Sequence, residues 1–428
     1  MRKSKTKKSG VKENGHLFDP MAVTWTEKYN EQISKYWKHV PQSVGKVLAT
    51  AAVFAVGVSI NGDWLNVWVH IAKQLGYYSQ QHDAPLQWST LSLESLKLKN
   101  LLSFWFSSCV VSYLMYYFIG GFLHWYYYVR QRDRAEEWKC QPNKWLPPDL
   151  ERHEIILGSC TLFVNATTSA LLACYISNGG YSQVYYKISD YGWLWFVLQF
   201  PIIFIYHDYT TYWLHRIYHW PFLYKHFHKL HHKYKQPTAF SVTAIHPVES
   251  MHIQMTMAIP LFVVPVHWLP FYTCVFYAYY HGIIDHSGVN FKAFWWQPWQ
   301  PDAIFHDNHH QYFHVNFAFN ISLWDKIHGT YRRKDRVYTE EIFYGVGKSI
   351  QDVTNEELKA DLEERNSENP LAYRGEMEFK LSHNEIRHIT KSTKTFKTVK
   401  TVSREELSVA RKETKKNNSS KTSNGIRA

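Results

Sequence analysis

Residues 155–177 run for 23 positions without a charged side chain. At 1.5 Å of rise per residue, a helix of that length crosses a hydrocarbon core about 30 Å thick. In such a medium a helix satisfies every backbone polar group within its own segment, so the run reads as a spanning helix. Residues 101–129 form a second uncharged stretch, interrupted only by His124. Residues 47–60 and 191–206 are shorter apolar runs, and 253–280 is a longer one broken by Pro260, Pro265 and Pro270. Proline removes an amide donor and clashes with the preceding turn, so the last stretch is expected to bend into a hairpin rather than continue as one straight helix. An all-α, multi-spanning helical membrane protein is the fold these runs predict.

Charge lies outside the apolar stretches. The chain has 48 Lys+Arg against 36 Asp+Glu, a net charge of +12. A basic excess that flanks spans suits an anionic cytosolic lipid surface, and no nucleic-acid partner is expected. Arg130, Arg132, Arg134 and Lys139 follow the second stretch, and a Lys/Arg cluster opens the chain. The loop between the third and fourth stretches has Lys187 as its one basic residue. By the positive-inside bias, the N-terminus and the 130–154 loop face the cytosol, and the fourth stretch returns the chain there just before His215. The expected division is a basic cytosolic segment over 1–42, transmembrane helices over 43–190, a histidine-box catalytic domain over 191–345, and a charged, largely disordered tail over 346–428. No apolar run follows the basic N-terminus within thirty residues, so a cleaved signal peptide is not expected. The five cysteines form no C-x-x-C pair and are read as reduced packing residues. Asn165-Ala-Thr167 fits a glycosylation acceptor but falls inside a span and is discounted.

Sixteen of the 25 histidines fall between His207 and His314. In His215-Arg-Ile-Tyr-His219, two imidazoles four residues apart share one helical face. His228-Lys-Leu-His231-His232 offers the same at i, i+3 and i+4, and His306-Asp-Asn-His309-His310 repeats it. A lone histidine on an apolar face is ordinarily a hydrogen-bonded structural residue, but three such boxes supply about eight nitrogens, more than one tetrahedral ion can use. Two metal ions a few ångströms apart would absorb them. Imidazole suits iron, zinc and copper alike, so the ligand type leaves the metal open. His246, in Ala-Ile-His-Pro-Val-Glu, and His286, in Asp-His-Ser-Gly, stand between the boxes and are expected to complete the set, while His281 is left open. His207, His226, His252 and His314 are expected to support the ligands, and His267 and His124 to cap or line spans. Asp208, Asp285, Asp307 and Glu249 adjoin these positions and could orient an imidazole through its free N–H, or form plain salt bridges. Trp295, Trp296 and Trp299 are candidates for an interfacial anchor or lid.

The sequence resembles the fatty acid hydroxylase/sterol desaturase superfamily over about residues 195–335. The resemblance is carried by Asp208-Tyr-Thr-Thr-Tyr-Trp-Leu-His215-Arg-Ile-Tyr-His219, Tyr224-Lys-His-Phe-His228-Lys-Leu-His231-His232, Ala244-Ile-His246-Pro, Phe305-His306-Asp-Asn-His309-His310 and Leu323-Trp-Asp-Lys-Ile-His-Gly-Thr-Tyr. It implies a cytosol-facing dimetal centre of two iron ions, with zinc possible in purified samples, in a multi-pass protein of the endoplasmic reticulum membrane. It further implies a lipid substrate, sterol or fatty acyl, oxidised with dioxygen and electrons from NAD(P)H through cytochrome b5 and its reductase. The chain has no His-Pro-Gly-Gly motif of a fused cytochrome b5 domain, so the donor is expected to be external. Gln236-Pro-Thr-Ala-Phe-Ser leans toward the sterol desaturase branch and Asp285-His-Ser-Gly toward methylsterol-oxidase-like branches, which leaves hydroxylation and desaturation both open.

Three rivals are weighed. A membrane zinc hydrolase would use similar histidines, but no H-E-x-x-H with its built-in base occurs. A metal transporter would place ionisable groups within the spans rather than after them. A silent lipid- and metal-binding protein would keep the same residues without turnover.

Overall fold

The computed structural model describes residues 35–41, 44, 45, 47, 48, 92–374 and 379–392. Nearly all of the apolar run at 47–60, most of the basic segment at 1–42 and the tail beyond 392 lie outside the described residues. Helix α1, Leu101–Arg130, and helix α2, Pro148–Ser177, are the two described helices long and apolar enough to cross a membrane. They run antiparallel: Trp105 Nε1 donates to Thr167 Oγ1 at 3.0 Å near one end, and Tyr113 O–H to the Ser159 carbonyl at 2.8 Å near the other. Within α2 the hydroxyls of Ser159, Thr167 and Thr168 donate to carbonyls four residues back, which satisfies them inside an apolar segment. Asn165 donates to Ser250 Oγ at 2.7 Å, a packing role consistent with discounting it as a glycan acceptor. All five cysteines are free.

Helix α3, Gly192–Tyr218, is continuous through Pro201. Its apolar part ends where polar residues begin at His207, so this helix is not apolar over a full span. The 253–280 stretch is broken as the prolines require: α5 over Pro247–Ala258, one turn over Pro260–Val263, a two-residue strand over Val266–His267, then α6 over Trp268–Asp285. That strand pairs in parallel with Val184–Tyr185. Both α5 and α6 pack against α3.

Between α3 and α5 lie a short helix α4, Pro221–His226, and 3-10 turns at His228–Lys233 and Ala239–Thr243. After α6 come α7, Ile304–Tyr312, and α8, Leu323–His328. The segment expected to open a disordered tail instead holds α9, Asn355–Ser367, started by a capping box in which Thr354 and Glu357 satisfy each other's backbone amides. Its Leu358 and Leu362 pack with Val337, Ile350 and Val353.

Tyrosines on α1 latch the loops that surround the histidines. Tyr116 donates to the Phe240 carbonyl at 3.1 Å, and Tyr128 to the carbonyls of Pro237 at 3.1 Å and Ser287 at 2.8 Å. Gly158 lets α2 approach that latch, since a Cβ there would collide with the Tyr116 hydroxyl. Gly288 sits at φ +67°, and a Cβ would overlap both Tyr128 Oη and the Pro237 carbonyl.

Candidate metal centre

Each histidine box is positioned by the element that carries it. His215 and His219 occupy the end of α3 on one face, their ring centroids 5.1 Å apart. The chain then turns at Trp220, restarts with Pro221 at the first position of α4, and enters the 3-10 turn that holds His228, His231 and His232. Winding tighter than an α-helix stacks residues three apart, so His228 and His231 lie one above the other with centroids 5.4 Å apart. His286 caps the C-terminus of α6, and α7 carries His306, His309 and His310. All nine side chains are buried.

These nine imidazoles gather into two groups. One ligand nitrogen from each of His215, His219, His228, His232 and His309 lies within 4.8 Å of the others, and the same holds for His231, His286, His306 and His310. The two boxes of H-x-x-H-H type split between the groups. His228 and His232 join the first while His231 joins the second; His306 and His310 join the second while His309 joins the first. The groups abut, with the His306 and His309 centroids 5.2 Å apart.

Hydrogen-bond partners assign the tautomers. A carbonyl only accepts, so an imidazole nitrogen bonded to one carries the proton and the other nitrogen keeps a lone pair. His215 Nδ1 meets the Phe317 carbonyl at 2.8 Å, His309 Nδ1 that of Val315 at 2.7 Å, His286 Nδ1 that of Gly282 at 2.7 Å and His231 Nδ1 that of Ala244 at 3.4 Å. His314 Nε2 donates to the Glu340 carbonyl at 3.3 Å, so its Nδ1 accepts from His219 Nδ1 at 2.9 Å. His228 Nδ1 is 2.5 Å from Glu249 Oε1. The Nε2 lone pairs of His215, His219, His231, His286 and His309 therefore point inward. His231 Nε2 and His286 Nε2 face each other at 3.4 Å with no proton between them, and His309 Nε2 is buried with no partner among the described residues. Lone pairs aimed at one another in a buried site repel unless a cation lies between them. The donor set thus fits one metal ion in each group.

Electrostatics keep the rings neutral, as ligands must be. Burial first, then neighbouring imidazoles, hold His231, His232, His306, His309 and His310 well below the usual histidine range. Burial pulls His228 down to about 3, and burial, only partly offset by the Gly282 carbonyl, brings His286 down to about 4. Burial likewise pushes the Glu249 carboxyl up, to about 8.

Of the ten histidines expected to converge, His246 does not. It stands before Pro247 as the N-cap of α5, its Nδ1 accepting the Val248 amide at 3.2 Å, with its ring edge-on to Phe227. His281 lies outside both groups, with Nε2 3.2 Å from Gln297 Nε2. Among the supporting histidines, His314 backs His219, His252 Nδ1 bonds the Tyr218 hydroxyl at 2.8 Å, and His207 bonds the Met257 carbonyl at 2.9 Å. His226 bonds the Phe222 carbonyl within α4. His267 caps α6, and His124 meets Glu151 at 3.1 Å. Of the four acids, only Glu249 bonds a converging imidazole. Asp208 receives the amides of Asn320 and Ile321 and the Trp324 indole, and Asp307 receives Gln141.

Sequence reasoning missed Asp325. Buried, it accepts the amides of Phe317 and Ala318 at 2.8 Å each and the Thr330 hydroxyl at 2.6 Å. It thereby shapes the loop whose carbonyls at 315 and 317 orient His309 and His215. Burial raises its carboxyl to about 6. Its place in Leu323-Trp-Asp was the only signal.

An apolar cavity of about 1530 Å³ reaches this centre from between α1, α2, α5 and α6. Its walls include Leu162, Ala173, Ile253, Leu261 and Phe271, and it touches His231 and His286.

Residues 200–330 match the fatty acid hydroxylase family model. A Delta(7)-sterol 5(6)-desaturase of Leptosphaeria maculans is 31% identical over 205 residues, 47% of this chain and 56% of that protein. Lathosterol oxidase of Rattus norvegicus is 32% identical over 155 residues, 36% of this chain and 52% of its own length. A Delta(7)-sterol 5(6)-desaturase of Schizosaccharomyces pombe is 26% identical over 197 residues, 45% and 65% respectively. The matches to the first two span about half the length of those relatives. No solved structure matches. With every histidine box inside it, the segment from 200 to 330 is similar to the fatty acid hydroxylase family, and the relatives it matches are named as sterol desaturases and a lathosterol oxidase.

Proposed function

We propose that the chain is a membrane-bound, non-haem di-iron oxidase of a lipid, with a sterol ring as the favoured substrate and desaturation as the favoured outcome. The observation that carries this reading is a large apolar cavity that reaches a cluster of nine buried, neutral imidazoles and touches two of them, His231 and His286. Drug-sized ligand pockets occupy about 300–1,000 Å³, so the cavity is roomy enough for a polycyclic lipid. The sterol preference rests on what the similar proteins are named for acting on.

His215, His219, His228, His232 and His309 would hold one iron, and His231, His286, His306 and His310 the other. When bound, the pair supplies the reductive activation of dioxygen that an unactivated C–H bond requires. The chain's own residues do the rest. Glu249, His314 and the carbonyls at 244, 282, 315 and 317 fix the ring orientations, and the aliphatic and aromatic walls orient the lipid and exclude water.

A bilayer setting is supported by the outward faces of the long helices. Leu102, Phe106 and Phe118 on α1 are 78%, 66% and 77% exposed, and Trp193, Leu194 and Val197 on the apolar half of α3 are also exposed. Apolar faces of this extent ask for a hydrocarbon environment. With α3 as a further span and α5–α6 as a hairpin, the chain is multi-pass, with the histidine domain on the cytosolic face of the endoplasmic reticulum. Trp295, Trp296 and Trp299 then lie at the interface as an anchor.

Electrons from NAD(P)H would arrive through cytochrome b5 and its reductase. The 3-10 turn offers a landing place, since Lys229 and Lys233 are exposed on its outer side while His228, His231 and His232 are buried on the inner side.

The test is lipid mass profiling of a host lacking its own sterol desaturase, with and without this chain, alongside His309→Ala. A new unsaturated or hydroxylated sterol that appears with the chain and vanishes in the variant is the expected result. An unchanged profile with a folded, metal-loaded protein would sink the reading.

A further inference from the structure

The two histidine groups differ in how they meet the cavity. His231 and His286 line it, whereas none of His215, His219, His228, His232 and His309 does. Phe319 lines the cavity and packs its ring on His215 of the five-histidine group at 5.2 Å and on His306 of the four-histidine group at 5.1 Å, and His215 is screened from the cavity by it.

The groups differ also in number and support. Five imidazoles come close to filling the donor positions of a six-coordinate first-row cation, and four leave more of them free. Behind the five, Nδ1 of His215, His219, His228 and His309 each has a partner, the Phe317 carbonyl, His314, Glu249 and the Val315 carbonyl, and only His232 Nδ1 lacks one among the described residues. Behind the four, only His231 and His286 are tied in this way, and Nδ1 of His306 and both nitrogens of His310 lack partners among the described residues. Each missing tie to a ligating imidazole typically costs about 10–100-fold in metal affinity. A closed, well-backed site and an open one are the usual division between holding a metal and reacting at it.

We infer that the two metal positions are inequivalent: the one held by His231, His286, His306 and His310 is the weaker, open position that meets substrate and small ligands, and the five-histidine position is closed behind Phe319. Phe319 is thus a positioning residue that decides which metal the cavity reaches. The inference rests on the two-cation reading above.

Metal-free full-length protein in detergent is titrated with Co(II), and the visible spectrum is read after azide is added at one and at two equivalents. The expected first equivalent binds at least about 10-fold more tightly than the second and is silent to azide. The azide response arrives with the second equivalent. His286→Ala should hold one tight cobalt and give no response. Phe319→Ala should hold two cobalt ions and respond at the first equivalent, which keeps the idea testable if His286→Ala does not fold. Two bound cobalt ions that respond equally in the wild-type protein, or a response from the first equivalent, would overturn the inequivalence while leaving the two-cation reading intact. Fewer than two equivalents bound by the wild-type protein would overturn both.

Discussion

Asp325 touches no inward-facing nitrogen, yet two amides and one hydroxyl converge on its carboxylate and set the path of the loop at 315–318. Two converging imidazoles lean on that loop's carbonyls, so removing the carboxylate loosens both rings. Asp325→Ala should weaken metal retention by about 10–100-fold, read as metal content after dialysis against a chelator. Asp325→Asn keeps one acceptor oxygen and should fall between. Equal retention by all three proteins would remove Asp325 from the site. Protonation adds a second expectation at this scale. His228 and His314 are each pulled by burial from 6.5 to about 3 in the folded chain. Between those values the unfolded chain binds protons that the folded one refuses, so stability falls as pH drops from about 6.5 toward 3. Metal-free protein should therefore show a melting temperature that declines steadily from pH 7 to pH 5. A flat profile would mean that these rings are not held neutral by the fold.

The ligand helix α7 is short, and its outer side is secured by residues beyond the matched 200–330 segment. Arg332 and Glu368 form a wholly buried ion pair at 2.8 Å. Tyr312 of α7 donates to Glu368 at 2.5 Å and accepts from Arg332 at 2.8 Å, and Asn308 donates to the Tyr373 hydroxyl at 3.1 Å. Breaking a buried pair from one side leaves a stranded charge, which costs about 3–5 kcal/mol. Glu368→Ala should lower thermal stability by that order and release metal, and Arg332→Met combined with it should recover part of the loss in a double-mutant cycle. Full independence of the two changes would contradict the coupling. The boxes themselves were legible because four-residue spacing is a local property of a helix. Their interleaving between two groups was not, since it depends on how α3, α6 and α7 meet in space. The His246 expectation overlooked a local signal: a residue followed by Pro and, three positions on, by Glu reads as a helix start. Thr354-Asn-Glu-Glu357 carried the same kind of signal within what composition alone assigned to a tail. Carbonyl partners such as Val315 and Phe317 leave no mark in a sequence at all.

At the scale of the whole molecule, the long apolar helices and the histidine domain are joined by one continuous space. Thr161 on α2 donates to the Ile245 carbonyl at 2.9 Å, beside the loop that backs His231. Ala173 lines the same cavity twelve residues further along α2, about 18 Å from that level at helical rise. On the proposed function, a change at Ala173 therefore acts on the far end of a bound lipid without reaching the histidine groups. Ala173→Trp should shorten the cavity and raise KM for a sterol with a full side chain, while a side-chain-truncated sterol is handled nearly as before. Metal content should match the unaltered protein, which separates a steric block from a damaged centre. Equal loss with both sterols would mean that the lipid does not extend along α2. Loss of metal would mean instead that the long apolar helices and the histidine groups are more tightly coupled than the latches from Tyr116, Tyr128 and Thr161 require. The fold gives a reason to expect the first result: the walls at that depth only confine, and the residues that orient the imidazoles all sit at the other end.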